Sequence, residues 1–154
     1  MEEIKQRYFD FFKQLFATVD YRSIFRADIQ QIIDFAKQNG IKLAVASSSH
    51  LDHIQKILTE CGIIQHFDFI VSGEQFKRSK PDPTIYRYTL EKLGVQAQNA
   101  VAIEDSFFGI QAAKTAGIPV IAYEEKRMLI DQSEADYCGK DMKEILRIIQ
   151  QLHH

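Results

Sequence analysis

Four short apolar runs, at 41–46, 67–71, 100–103 and 118–122, alternate along this chain with segments whose apolar residues recur at helical spacing. Gly40, Gly62, Gly94 and Gly117 each close one of those helical segments. The helices are expected at 28–39, 51–61, 83–93, 107–116 and 141–152. Short strands in strict alternation with helices leave few choices of fold. They predict βαβ units and an α/β, doubly wound parallel sheet covered on both faces. Residues 2–19 add a further amphipathic helix, with Tyr8, Phe11, Phe12 and Phe16 on its apolar face. The change from a helix-only segment to alternation falls near Tyr21–Ala27.

The chain has 154 residues, the length of one domain. Its formal net charge is −2 with both signs interspersed, which predicts neither nucleic acid nor an anionic membrane as partner. No apolar run is long enough to span a bilayer. Cys61 and Cys138 show no ligand spacing and read as reduced, half-buried thiols of a cytoplasmic protein.

In an open parallel sheet, ligands gather beyond the carboxyl ends of the strands. Three polar groups fall on that edge. The first strand runs into Ser47-Ser48-Ser49-His50, where hydroxyls and amides at a helix start suit a phosphate. A plain serine cap is the simpler reading of these residues alone. The second strand leads to Lys77-Arg78-Ser79-Lys80-Pro81-Asp82-Pro83. Lys77 and Arg78 fit a solvated loop. Lys80, held before Pro-x-Pro, suits a cation that must point one way. The third strand ends in Glu104-Asp105-Ser106. Adjacent carboxylates repel and are relieved by a cation, and Mg²⁺ takes one or two carboxylates plus phosphate and water oxygens. The simpler reading is a pair of acids in a solvated turn, capping the next helix.

In these segments the chain resembles the haloacid dehalogenase superfamily, in its β-phosphoglucomutase-like branch of phosphatases and phosphohexomutases. Residues 41–49 resemble its second motif, 79–86 its third, and 102–106 with Gly109, Ile110, Ala112 and Ala113 its fourth. The resemblance implies a Rossmann-like core at 23–154, a remnant of the helical cap at 1–22, phosphate-binding Ser47, Ser48, Ser49 and Lys80, and Mg²⁺ on Glu104 and Asp105. It implies a phosphorylated small molecule, a sugar phosphate, as ligand. His50 departs from the residue expected beside Ser49.

The family's first motif, Asp-x-Asp-Gly, supplies the nucleophile and the acid–base. No two of the eleven aspartates here are separated by one residue. The expectation is therefore the C-terminal part of such an enzyme, inactive alone because the nucleophilic Asp is absent. The alternative is a non-catalytic phosphate-binding or interaction module. Ser47 or Asp82 as a substitute nucleophile ranks last. The family's first strand lies between those read here at 41–46 and 100–103, so the sheet is expected to be incomplete there. It must close over the gap, gain a strand in a homodimer by strand exchange, or receive one supplied separately.

Overall fold

A computed structural model describes the backbone of residues 21–124 and 130–153, and the side chains of 29–124 and 130–153. The helix expected over 2–19 and the cap segment over 1–22, except its last two residues, lie outside the described residues. In chain order the elements are α1 (Tyr21–Gln38), β1 (Ala44–Ser47), α2 (Leu51–Glu60), β2 (Phe69–Ser72), α3 (Thr84–Leu93), β3 (Ala102–Glu104), α4 (Phe107–Thr115), β4 (Val120–Tyr123), β5 (Tyr137–Gly139) and α5 (Met142–Leu152). Single 3₁₀ turns lie at Ile64–His66, Gly73–Gln75 and Ala97–Asn99.

Strand–helix alternation is as expected from the apolar runs, with each strand beginning two or three residues later than its run. Three of the runs start in a buried approach to their strand: Leu43, Val101 and Ile118 are core residues. The helix expected from Asp28 already covers the residues from Tyr21 onward among those described. Strand β5 was not anticipated, because Tyr137 and Cys138 are exposed and carry no apolar run. Cys138 is accordingly exposed, not half-buried, whereas Cys61 is buried beside α2.

All the strand pairs are parallel, in two ladders among the described residues: β1–β2, and β3–β4–β5. An aspartate sets the entry of one strand pair in each ladder. Asp68, just before β2, accepts from Leu43 N at 2.8 Å; Asp136, just before β5, accepts from Val120 N at 2.8 Å. One core cluster holds Val45 of β1 with Ile103 of β3 and Ile121 of β4, under α1, α2 and α5. A second holds Ala46 with Ala102 and Val120, under α3 and α4. Both ladders therefore lie in one layer between shared helices.

Among the described residues β1 pairs with β2 and β3 pairs with β4, and the two ladders are not joined. Leu43 accepts from Asp68 N and Ala102 N donates to Pro119 O, so these two residues face their paired neighbours. By alternation, Ala44 and Ala46 in β1, and Ile103 in β3, turn their backbone groups the other way. Among the described residues no β1–β3 ladder closes the sheet. No described helix is long and apolar enough to cross a membrane.

Candidate functional site

β3 delivers Glu104 and Asp105 to the sheet edge almost wholly buried, at 0% and 1% exposure. Neither acid caps the helix that follows. Ser106 does, its Oγ accepting from Gly109 N at 3.0 Å. The acids are thus left to the interior, and the solvated-turn reading does not describe them.

Glu104 has two unequal oxygens. Oε2 accepts from Lys80 Nζ at 2.8 Å and from the Tyr86 hydroxyl. Oε1 is buried with no hydrogen-bond partner among the described residues. The carboxylate also lies against the backbone of Gly109, where any Cβ would collide with it. A buried carboxylate oxygen without a partner is costly, and a cation beside it removes that cost. Among the described residues no cluster of three or more His, Cys, Asp or Glu side chains forms a protein-only cage. Two adjacent carboxylates with one orphaned oxygen fit Mg²⁺, which keeps water and phosphate oxygens in its shell, better than a metal that demands a full set of protein ligands.

Lys80 comes from the loop after β2, and its side chain is 7% exposed, against 83% for Arg78. Its ammonium sits 5.1 Å from the centroid of the Tyr86 ring. The Lys80–Pro81 peptide is cis. Lys77, Arg78, Ser79, Lys80, Pro81 and Asp82 line one open hollow at this edge. Asp82 is engaged locally: its Oδ1 accepts from Thr84 N at 2.9 Å and from the Thr84 hydroxyl. These bonds, the hydroxyl's first, hold its carboxyl below the usual aspartate value. It is a turn residue, not a poised nucleophile.

Ser47 ends β1 fully buried, with Ser48 exposed and Ser49 half-buried after it. Ser47 Oγ accepts from Ser49 N at 3.1 Å, which curls the loop. These serines do not cap α2. The position before the helix is His50, with no capping side chain of its own, and the oxygen offered to Leu51 N belongs to Glu74. The loop after β2 lies against the serines: a Cβ on Gly73 would sit 3.4 Å from Ser47 O, 3.3 Å from Ser48 Cα and 3.8 Å from Ile85 Cδ1. Ile85 adjoins Tyr86, and Tyr86 holds Glu104. The serine loop, Gly73, the start of α3 and the Glu104–Lys80 pair are therefore neighbours along one edge.

Three residues in this arrangement have roles that the sequence reading did not assign, although Tyr86 and Gly109 lie within the segments that resemble the family's third and fourth motifs. Tyr86 carries a signal in retrospect, since it falls on the apolar face of α3 with Ile85, Thr89, Leu90 and Leu93, and a buried phenol needs a partner. Glu74 carries none, and the motif that includes Gly109 does not announce its contact with Glu104, because both roles depend on contacts made from other segments.

The profile of the haloacid dehalogenase-like hydrolases matches residues 1–123. A phosphorylated carbohydrates phosphatase of Thermotoga maritima is 40% identical over 90 residues, which are 58% of this chain and 42% of that one. Among solved structures, a mutant of CbbY from Rhodobacter sphaeroides in complex with xylulose-(1,5)bisphosphate superposes with a TM-score of 0.71 at 34% identity, covering 76% of this chain and 54% of that one. The β-phosphoglucomutase of Clostridium difficile superposes at 0.72 with 25% identity, covering 86% and 61%. The chain thus spans less than half the length of the curated relative and little more than half of these structures.

Proposed function

The chain belongs to the haloacid dehalogenase-like hydrolase family, and from that premise we propose that it supplies the phosphate- and metal-binding half of a site for sugar phosphates. The observation that carries this reading is the division of Glu104. One oxygen is fixed by Lys80 and Tyr86, and the other is buried at the mouth of the sheet, beside Asp105, with no hydrogen-bond partner among the described residues. Glu104 and Asp105 would hold Mg²⁺, and the metal would supply charge neutralisation to a phosphoryl group. Lys80 would share its ammonium between Glu104 and a phosphate oxygen. Ser47, with the amides of Ser48 and Ser49, would accept the rest of the phosphate.

On this reading the residues present bind and orient but do not turn over. The family's nucleophile is an aspartate of an Asp-x-Asp pair, and none of the chain's aspartates forms such a pair. Ser47 and Asp82 are each engaged in their own loops. The chain is the C-terminal part of a phosphatase or phosphoglucomutase in this view, and the alternative is a binding module derived from one. Calorimetry with inorganic phosphate, with and without Mg²⁺, tests the binding half of the reading. Mg²⁺-dependent binding without phosphatase turnover is the expected result. No heat at millimolar phosphate with Mg²⁺ present removes it.

The interrupted sheet supports a second element of the proposal, association through β1 and β3 in a homodimer or by strand exchange. Light scattering over a concentration series is expected to give a mass above one chain. A monomer at every concentration removes this element.

A further inference from the structure

On the reading of Ser47–Ser49 as a phosphate loop, we propose that Glu74 is its positioning residue, a brace from the neighbouring strand end that fixes the loop and presents one nitrogen of His50 to the ligand. Glu74 sits in the turn after β2, yet its carboxylate works on the loop after β1. Oε1 accepts from Leu51 N at 3.0 Å, and Oε2 meets His50 Nδ1. Glu74 N donates to Ser72 Oγ at 3.2 Å, and that hydroxyl donates to Ser49 O. Gly73 lets this turn close onto Ser47 and Ser48. The loop is thus held by side chain, hydroxyl and backbone contact from one neighbouring turn.

The chemistry of the pair decides what His50 offers. An ionised carboxylate only accepts, so Nδ1 must be the nitrogen that donates. With both ring nitrogens protonated, Nε2–H is left to donate to a phosphate oxygen, on a side chain 84% exposed beside the serine loop. The Leu51 amide first, then the His50 ring, hold the Glu74 carboxyl below the usual glutamate value, so it stays an acceptor at neutral pH. Glu74 touches no ligand in this role and acts through Leu51, Ser49 and His50.

The test compares the unaltered chain with Glu74→Gln and Glu74→Ala, using calorimetry with inorganic phosphate and Mg²⁺, and the ring ¹⁵N shifts of His50. Glu74→Gln keeps an oxygen for Leu51 N but brings an amide donor to His50. It is expected to hold its melting midpoint within about 2 °C, move the proton of His50 off Nδ1, and weaken phosphate binding about fivefold. Glu74→Ala loses the cap as well and is expected to weaken it about tenfold or more. If the Ala variant does not fold, the Gln variant decides. Phosphate affinity within twofold of the unaltered chain in the folded variants overturns the brace and leaves the phosphate loop standing. Silence from the unaltered chain itself overturns the phosphate reading, and the brace with it.

Discussion

Lys80 Nζ lies 2.8 Å from Glu104 Oε2, in a pair whose side chains are 7% and 0% exposed. The two residues come from the loop after β2 and the end of β3, so the bond joins the two ladders that the sheet itself leaves separate. Burying opposite charges gains little net energy, since desolvation offsets most of the attraction. A pair retained at such a cost is better understood as a holding device. Lys80 neutralises Glu104, Tyr86 shares the same oxygen, and the remaining oxygen faces the place assigned to a cation.

Breaking the pair from one side is therefore expected to cost far more than removing it whole. Lys80→Met leaves a buried carboxylate without its cation and should destabilise the chain by about 3 kcal/mol. Lys80→Met with Glu104→Leu should recover most of that loss, at the expense of all Mg²⁺ and phosphate binding. Urea melts of the single and double variants measure both quantities. Equal losses in the two would show that the pair contributes a net stabilising bond.

If Glu104 and Asp105 hold Mg²⁺, the folded state gains stability with the ion by mass action, about 2.7 kcal/mol at one hundred times the dissociation constant. The melting midpoint of the unaltered chain should rise with MgCl₂. Asp105→Asn should abolish the rise while leaving the metal-free midpoint nearly in place. A midpoint indifferent to millimolar Mg²⁺ in the unaltered chain would remove the metal from the site.

Gly109→Ala separates helix propensity from packing at the same corner. In an open helix the change favours stability by about 1 kcal/mol. Here the new methyl would fall on the Glu104 carboxylate and 2.7 Å from Ser106 Oγ, the cap of α4. Overpacking of this kind costs about 1–3 kcal/mol, so the expected sign is destabilising. The carboxylate should also shift away from the position assigned to the metal. Thermal melts with and without MgCl₂ check both effects, and a more stable variant would show that the corner has room to yield.

The alternation of strands and helices was legible in the sequence because it rests on local signals. Apolar runs, helical spacing and terminal glycines at 40, 62, 94 and 117 needed no knowledge of distant contacts. The polar residues at each strand end were legible for the same reason, since the chain path alone brings them to one edge. What lay hidden was long-range. Ser106 takes the cap that the acids could have taken, and Glu74 takes the one the serines could have taken. Tyr86 reaches Glu104 from 18 residues away. Strand β5 is held by pairing with β4 and by Asp136, not by apolar residues of its own.

Asp136 gives the acid limb of stability a definite sign. Partial burial alone would raise its pKa, but Lys114 at 2.7 Å and the Val120 amide at 2.8 Å outweigh that and hold it below the usual aspartate value. An unfolded aspartate titrates near pH ~3.9. The folded state therefore binds the proton less readily, and its stabilisation is complete above that value and lost as pH falls through the lower, folded one. The pair is about a third exposed on both sides, so screening limits the gain to about 0.5–1 kcal/mol. Asp136→Asn keeps an oxygen for Val120 N and removes only the charge. Urea melts should show a constant gap between the two proteins from about pH 7 to pH 5, narrowing below about pH 4. A gap that persists undiminished at pH ~2 would assign the difference to packing or strand register, because by then no carboxylate charge remains to be lost.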